Sequence, residues 1–296
     1  MTTLPPTAEE FLSTLNREAK TIRTYRNALT QFFAIIGDAD LTTESYITFL
    51  RTLKRHSTST QKVYSTAVRR LYKFARVGNE TEMEEATDHY TESASPTLVN
   101  FNIEAVETFL DYARTLNKDL WDLRDRAAVF CYVGSGFRLE ELTARKVGDI
   151  DFVNKRTLIK GKKRKHAVLM LSNQAIEYLN AYLAARRTIE TRRPISSQPL
   201  FAAHDIRASK RVEPITGSGL RESIKRHIEE AGIDRHDIRI HDLRHYFITM
   251  IYQGTKDPIL AQQAGRHSSL QMTGRYAHLV PGQLESAYDK IINGKE

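Results

Sequence analysis

The sequence predicts a mainly α-helical chain with a small β-hairpin, arranged as two domains, and three observations predict it. Apolar residues recur at three- and four-residue spacing along most of the 296 residues. Strand-like runs occur at one place, on either side of a Gly/Lys-rich turn at 161–165. Formal charge also changes sign along the chain. Residues 1–77 carry 12 basic and 6 acidic side chains, residues 78–97 carry 6 acidic and none basic, and residues 98–296 carry 32 basic and 24 acidic. Two cationic blocks thus flank an acidic connector that ends in a Ser/Pro cluster, which is linker composition. Two domains also agree with a prior of about 150 residues each.

In the first block, Thr7-Ala8-Glu9-Glu10 reads as a capping box ahead of Phe11, Leu12 and Leu15. Ile22, Tyr25, Leu29, Phe32 and Ile36 form the stripe of a second helix, which Gly37 stops. A third helix starts at Thr42 and buries Tyr46, Phe49, Leu50 and Leu53. The fourth places Val63, Tyr64, Ala67, Val68, Leu71 and Ala75 on one stripe and leaves Lys62, Arg69, Arg70, Lys73 and Arg76 largely off it. A charged helix face is often only a solvated face. Because these five share one sign, they are also a candidate phosphate-contacting surface. In the second block, helical patterns cover 103–116, 120–133, 139–146, 173–187, 217–231, 242–253 and 257–264. Between the third and fourth of these lies the hairpin, giving an α+β domain with few strands.

Composition excludes several classes of protein. No stretch approaches the roughly 18–20 consecutive apolar residues of a membrane helix, and the N-terminus lacks signal-peptide regions, so a cytoplasmic protein without a membrane partner is expected. The single cysteine, Cys131, lies in an apolar run and is expected to be a buried thiol. It excludes a disulfide framework and a cysteine-based zinc site. No P-loop and no dense Asp/Glu/His cluster occurs, so neither a metal nor another cofactor is expected. The net +8 and pI near 9.4 point to a polyanionic partner.

Three clusters can carry chemistry, and each is weak alone. Gly134-Ser135-Gly136-Phe137-Arg138-Leu139-Glu140-Glu141-Leu142 sets glycines, expected to loosen the backbone, before a helix that opens with an arginine. His241 and Arg244 lie three apart, on one helix face, where both can grip one anionic group. The third cluster follows Gly265-Arg266 with His267, Thr273, Tyr276 and His278. In this order, with a lysine-bearing hairpin between the first two, the set has a low chance probability.

On these motifs the sequence resembles the tyrosine recombinase, or phage integrase, family, Xer-like, over nearly its whole length. The resemblance implies a helical, SAM-like core-binding domain over 1–77, an acidic linker over 78–97 and a catalytic domain over 98–296, together forming a C-shaped clamp on duplex DNA. It carries over Arg138, His241, Arg244, His267 and the nucleophile Tyr276 as catalytic, with Glu141 supporting them. Arg266 stands where the family has glycine. Aligning 171–176 without gaps against the family's next helix start puts the hairpin lysine, the family's general acid, on Lys165. Strand alternation agrees, while a slip to Lys163 stays open.

The chemistry implied is cleavage and rejoining of DNA strands through a 3′-phosphotyrosyl ester, without metal or ATP. In the family four protomers assemble on two sites, with a C-terminal helix docking on a neighbour. Leu284, Tyr288 and Ile291 suit such a helix, and the same stripe also suits packing on its own domain. Accessory DNA-binding proteins fit the same picture. The rivals are a type IB topoisomerase, against which the short length and the first domain argue, a catalytically inactive DNA-binding protein, and a metal-dependent nuclease using some of the 10 histidines.

Overall fold

The computed structural model describes residues 4–37, 39–91, 101–160, 166–187, 193–204, 212–234 and 236–266. Two compact units divide the chain, Met1–Thr97 and Leu98–Glu296.

Among the described residues, five helices build the first unit: α1 (Pro6–Thr14), α2 (Ala19–Ile36), α3 (Thr43–Leu53), α4 (Thr58–Ala75) and α5 (Glu80–Tyr90). The capping box expected at Thr7 does not form. Helix α1 begins at Pro6, whose missing amide hydrogen needs no acceptor at the first helical position. Thr42 does cap α3, accepting from the Ser45 amide, and Tyr72 of α4 donates to the Thr42 carbonyl at 3.0 Å. Phe32 meets Phe49 edge to face at 5.3 Å, so α2, α3 and α4 share one aromatic core.

Helix α5 falls inside the segment expected to be a linker. Asn79 caps it, Met83 and Ala86 are buried one turn apart, and Tyr46 and Thr87 share a hydrogen bond of 2.7 Å. Two apolar residues among so many glutamates leave only a faint helical stripe in the sequence. What they lack in area is supplemented by ion pairs, Glu80 to Lys73 at 2.9 Å and Glu84 to Arg69.

The second unit contains α6 (Ile103–Thr115), α7 (Leu120–Ser135), α8 (Leu139–Thr143), β1 (Ile150–Asp151), β2 (Arg156–Lys160), β3 (His166–Met170), α9 (Asn173–Arg186), β4 (Ala202–Ala203), β5 (Glu213–Pro214), α10 (Gly217–Glu230), α11 (Ile240–Thr255) and α12 (Pro258–Gly265). Helix α7 is buried over 127–132, Cys131 included, and is the unit's central element. The expected hairpin is β2–β3, antiparallel with Leu158 opposite Val168. Leu169 and Leu171 face the core while Val168 and Met170 face solvent, as strand alternation requires.

Two strand features escaped sequence reasoning: β1, which makes the hairpin three-stranded, and the β4–β5 pair. Strands of two residues are too short to show a period. Helix α8 also stops at Thr143 rather than 146, and a 3-10 turn, Val147–Asp149, follows it.

Candidate active site

Chain geometry around α7, α8, α11 and α12 gathers three arginines about one carboxylate. Helix α7 ends at Gly136 in the left-handed conformation, with φ +60°, and a Cβ built there would lie 2.4 Å from the Phe247 ring. Glycine is required on both counts. The glycines were expected to loosen this turn. Gly136 instead fixes it, because its carbonyl accepts from Arg244 and, at 3.1 Å, from Arg266.

Arg138 then occupies the N-cap of α8. Its amide donates to Glu141 Oε2 at 2.9 Å and its guanidinium to Glu141 Oε1 at 3.0 Å. Glu141, three residues into the helix, thus returns to its own N-cap, as in half of a capping box. The Arg138 side chain remains nearly half exposed.

Arg244 projects from α11 and is buried. It donates to the carbonyls of Gly136 and Gly265, at the C-terminal ends of α7 and α12. A cation between two such ends meets the partial negative charge of both. Burial, reinforced by the charges of Arg266 and Arg138, draws its pKa down to about 10, so it stays protonated at neutral pH.

His241, one turn earlier, is exposed and packs edge to face on His245 at 4.7 Å. Its crowded surroundings and the nearby Arg244 hold it below the usual imidazole range, so the neutral form predominates near pH 7. His241 and Arg138 line the same cavity, of about 470 Å³, with buried Leu139, Ile224 and Ile240 and exposed Arg221.

The third arginine is Arg266, which the sequence marked only as a departure from a glycine. It forks onto Glu141, with Nη1 to Oε1 and Nη2 to Oε2 both 2.8 Å. Burial alone would raise the Glu141 pKa, but the Arg266 fork, the Arg138 amide and the Arg138 guanidinium together hold it at about 2.

Arg145 was also unforeseen. It ties the Glu141 carbonyl, at 3.1 Å, to the Leu158 carbonyl of β2, at 3.0 Å, and so anchors the hairpin to α8. Its spacing carries no motif that sequence could flag.

Of the expected catalytic residues, Arg138, His241 and Arg244 are gathered here with Glu141. Lys165, Lys163, His267, Thr273, Tyr276, His278 and the stripe at 284–291 lie outside the described residues. In the first unit, Lys62, Arg69, Arg70, Lys73 and Arg76 all belong to α4 or its C-cap. Arg69 and Lys73 are paired with α5, and Arg70 lies 5.9 Å over the Tyr25 ring. Among the described residues no helix is long and apolar enough to cross a membrane.

Comparison with known proteins bears on both units. Residues 100–282 match the phage integrase family, and residues 8–78 match the phage integrase N-terminal SAM-like domain. Tyrosine recombinase XerC of Listeria monocytogenes is 27% identical over 286 residues, which span 93% of this chain and 92% of the relative. Tyrosine recombinase XerD of Corynebacterium glutamicum is 26% identical over 264 residues, 84% of this chain and 82% of the relative. The crystal structure of XerH site-specific recombinase bound to palindromic difH substrate, a post-cleavage complex, aligns with a TM-score of 0.72 at 25% identity. That alignment covers 95% of this chain and 82% of that one.

Proposed function

Because this chain belongs to the phage integrase family, whose similar members here are tyrosine recombinases, we propose that it cleaves and rejoins double-stranded DNA at specific sites through a tyrosyl ester on Tyr276. The observation that carries the proposal is the convergence of Arg138, Arg244 and His241, from segments about 100 residues apart, close enough for the two arginine charges to act on the imidazole and on one another.

The chemistry follows from these groups. The Tyr276 hydroxyl attacks the scissile phosphorus, a P–O bond to Tyr276 forms, and the bond to the 5′-oxygen breaks. A phenol with a pKa near 10 is a poor nucleophile at neutral pH, so its proton must be taken as it attacks. His241, neutral near pH 7, and His267 serve as acceptors. Charge gathers on the nonbridging oxygens in the transition state, where arginine forks stabilise it. Arg138 offers the exposed fork. Arg244 uses part of its donor set to hold two helix ends and supplies positive charge from beneath. Lys165 protonates the departing 5′-oxygen. Attack by another strand's 5′-hydroxyl on the phosphotyrosyl ester reverses the steps and rejoins DNA. Four protomers on two sites, docking through 283–292 and directed by accessory DNA-binding proteins, complete the proposal.

A nicked suicide DNA substrate, incubated with the protein in EDTA, tests it on a denaturing gel. Wild type forms a covalent adduct and Tyr276→Phe forms none. No wild-type adduct, or an adduct that persists in Tyr276→Phe, overturns the reading. Lys165→Ala loses cleavage in the same gel while Lys163→Ala retains it, and the reverse result moves the general acid to Lys163.

A further inference from the structure

Arg266 sits where the backbone favours glycine. It ends α12 with φ 50° and ψ 45°, the left-handed conformation that costs an L-residue more than glycine. An arginine retained at such a position needs a compensating role, and its bonding partners supply one. Only 13% of its side chain is exposed, against 46% for Arg138. Both terminal nitrogens fork onto Glu141, and Nη2 also reaches the Gly136 carbonyl. Arg266 thereby joins the end of α12, the residue before His267, to the turn that carries Arg138.

We propose that Arg266 is a positioning residue of the strand-cleavage site, holding Glu141 so that Arg138 is presented to the scissile phosphate. This rests on the recombinase reading above. The fork occupies both Glu141 oxygens from one side, so Glu141 meets Arg138 through its amide and a single guanidinium nitrogen. Without Arg266 the same carboxylate is available for a full fork with Arg138, and Arg138 turns away from the phosphate. Arg266 also contributes charge: its guanidinium and that of Arg138 lie close enough to Arg244 to lower the Arg244 pKa, a concentration of positive charge that favours an incoming dianionic transition state.

Arg266→Gly separates this role from simple helix capping, because glycine relieves the left-handed backbone. A capping role alone predicts unchanged or improved behaviour. The positioning role predicts single-turnover cleavage of the suicide substrate slowed on the order of 10- to 100-fold, with duplex affinity within about 3-fold of wild type, the size expected for a displaced transition-state group. It further predicts that the Glu141 carboxyl, followed by carbon-13 NMR in the DNA-free protein, moves from about 2 toward its ordinary 4.5. A new acid limb then enters the cleavage profile of the variant. Arg266→Lys, which keeps the charge without the fork, recovers part of the rate.

In a Glu141→Gln background, Arg266→Gly adds little further loss, since it acts through that carboxylate. Wild-type cleavage in Arg266→Gly, an unmoved Glu141 titration, or fully additive losses in the double variant overturns the inference while leaving the recombinase reading intact. Absence of a wild-type adduct overturns both.

Discussion

His227 is buried in the second unit among charges that no sequence motif announced. Its Nε2 lies 3.1 Å from Asp125 Oδ2 and its Nδ1 lies 2.9 Å from Glu230. Asp125, fully buried on α7, also accepts from Arg124 Nε at 2.7 Å and from the Ser223 hydroxyl. Tyr112 of α6 donates to Glu230 at 3.0 Å from the other side. Burial opposes the His227 charge, but its hydrogen bond to Asp125 and the Asp125 and Glu230 charges override it and raise the pKa above 6.5. A raised histidine contributes stability that is complete below pH 6.5 and fades as pH climbs through the folded value. Asp125 is held below 3.8, so its contribution fades only on acidification beneath that. The melting temperature of the protein therefore falls as pH rises from 6 to 9, and His227→Gln flattens that slope. A variant that keeps the wild-type slope would assign it elsewhere. Neither partner was legible in the sequence, because Asp125 and His227 are 102 residues apart and pair only after α7 and α10 pack. His241 and Arg244 were legible as a pair because their three-residue spacing is local, whereas Arg138 was picked out through the resemblance of its own motif and not through any spacing to them. Gly136 was legible as a residue but misread in role: its necessity comes from its left-handed backbone and from Phe247, 111 positions away.

Elements announce themselves when one face is apolar for several turns, which is why α2, α3 and α4 follow the sequence closely. Helix α5 did not, since Met83 and Ala86 are its only buried residues and the rest of its stability comes from its partners on α3 and α4. Its placement changes what α4 offers to DNA. Glu84 pairs with Arg69 and Glu80 with Lys73, so two of the five cations assigned to phosphate already have acidic partners. Exposed pairs of this kind are weak, and phosphates compete for them as salt falls. Replacing both acids, Glu80→Gln with Glu84→Gln, leaves Met83 and the Asn79 cap intact and unmasks both cations. Nonspecific duplex affinity then rises, and the slope of log affinity against log salt steepens by up to about 2, near 0.9 for each phosphate newly neutralised. Fluorescence anisotropy at several salt concentrations measures both. An unchanged slope would remove Arg69 and Lys73 from the DNA surface.

Over the whole molecule, the same helix redistributes charge. Read as a separate strap, residues 78–97 put −6 between cationic blocks of +6 and +8. The compact units instead divide at Thr97 and Leu98, so the first unit holds 12 basic and 12 acidic side chains and is neutral by count, while the second carries the entire +8. Each unit has its own hydrophobic core, one around Phe32, Phe49 and Tyr72, the other around α7 and α9, so each contains what it needs to fold separately. Long-range attraction to a polyanion follows net charge, whereas close binding follows the local face. The two units should accordingly differ in salt sensitivity. Expressed apart, residues 98–296 elute from heparin at higher salt than residues 1–97, and the first unit approaches the second only when Glu80 and Glu84 are neutralised. Circular dichroism of each fragment verifies folding beforehand. Equal elution of the two folded wild-type units would show that the α4 face outweighs its acidic neighbour.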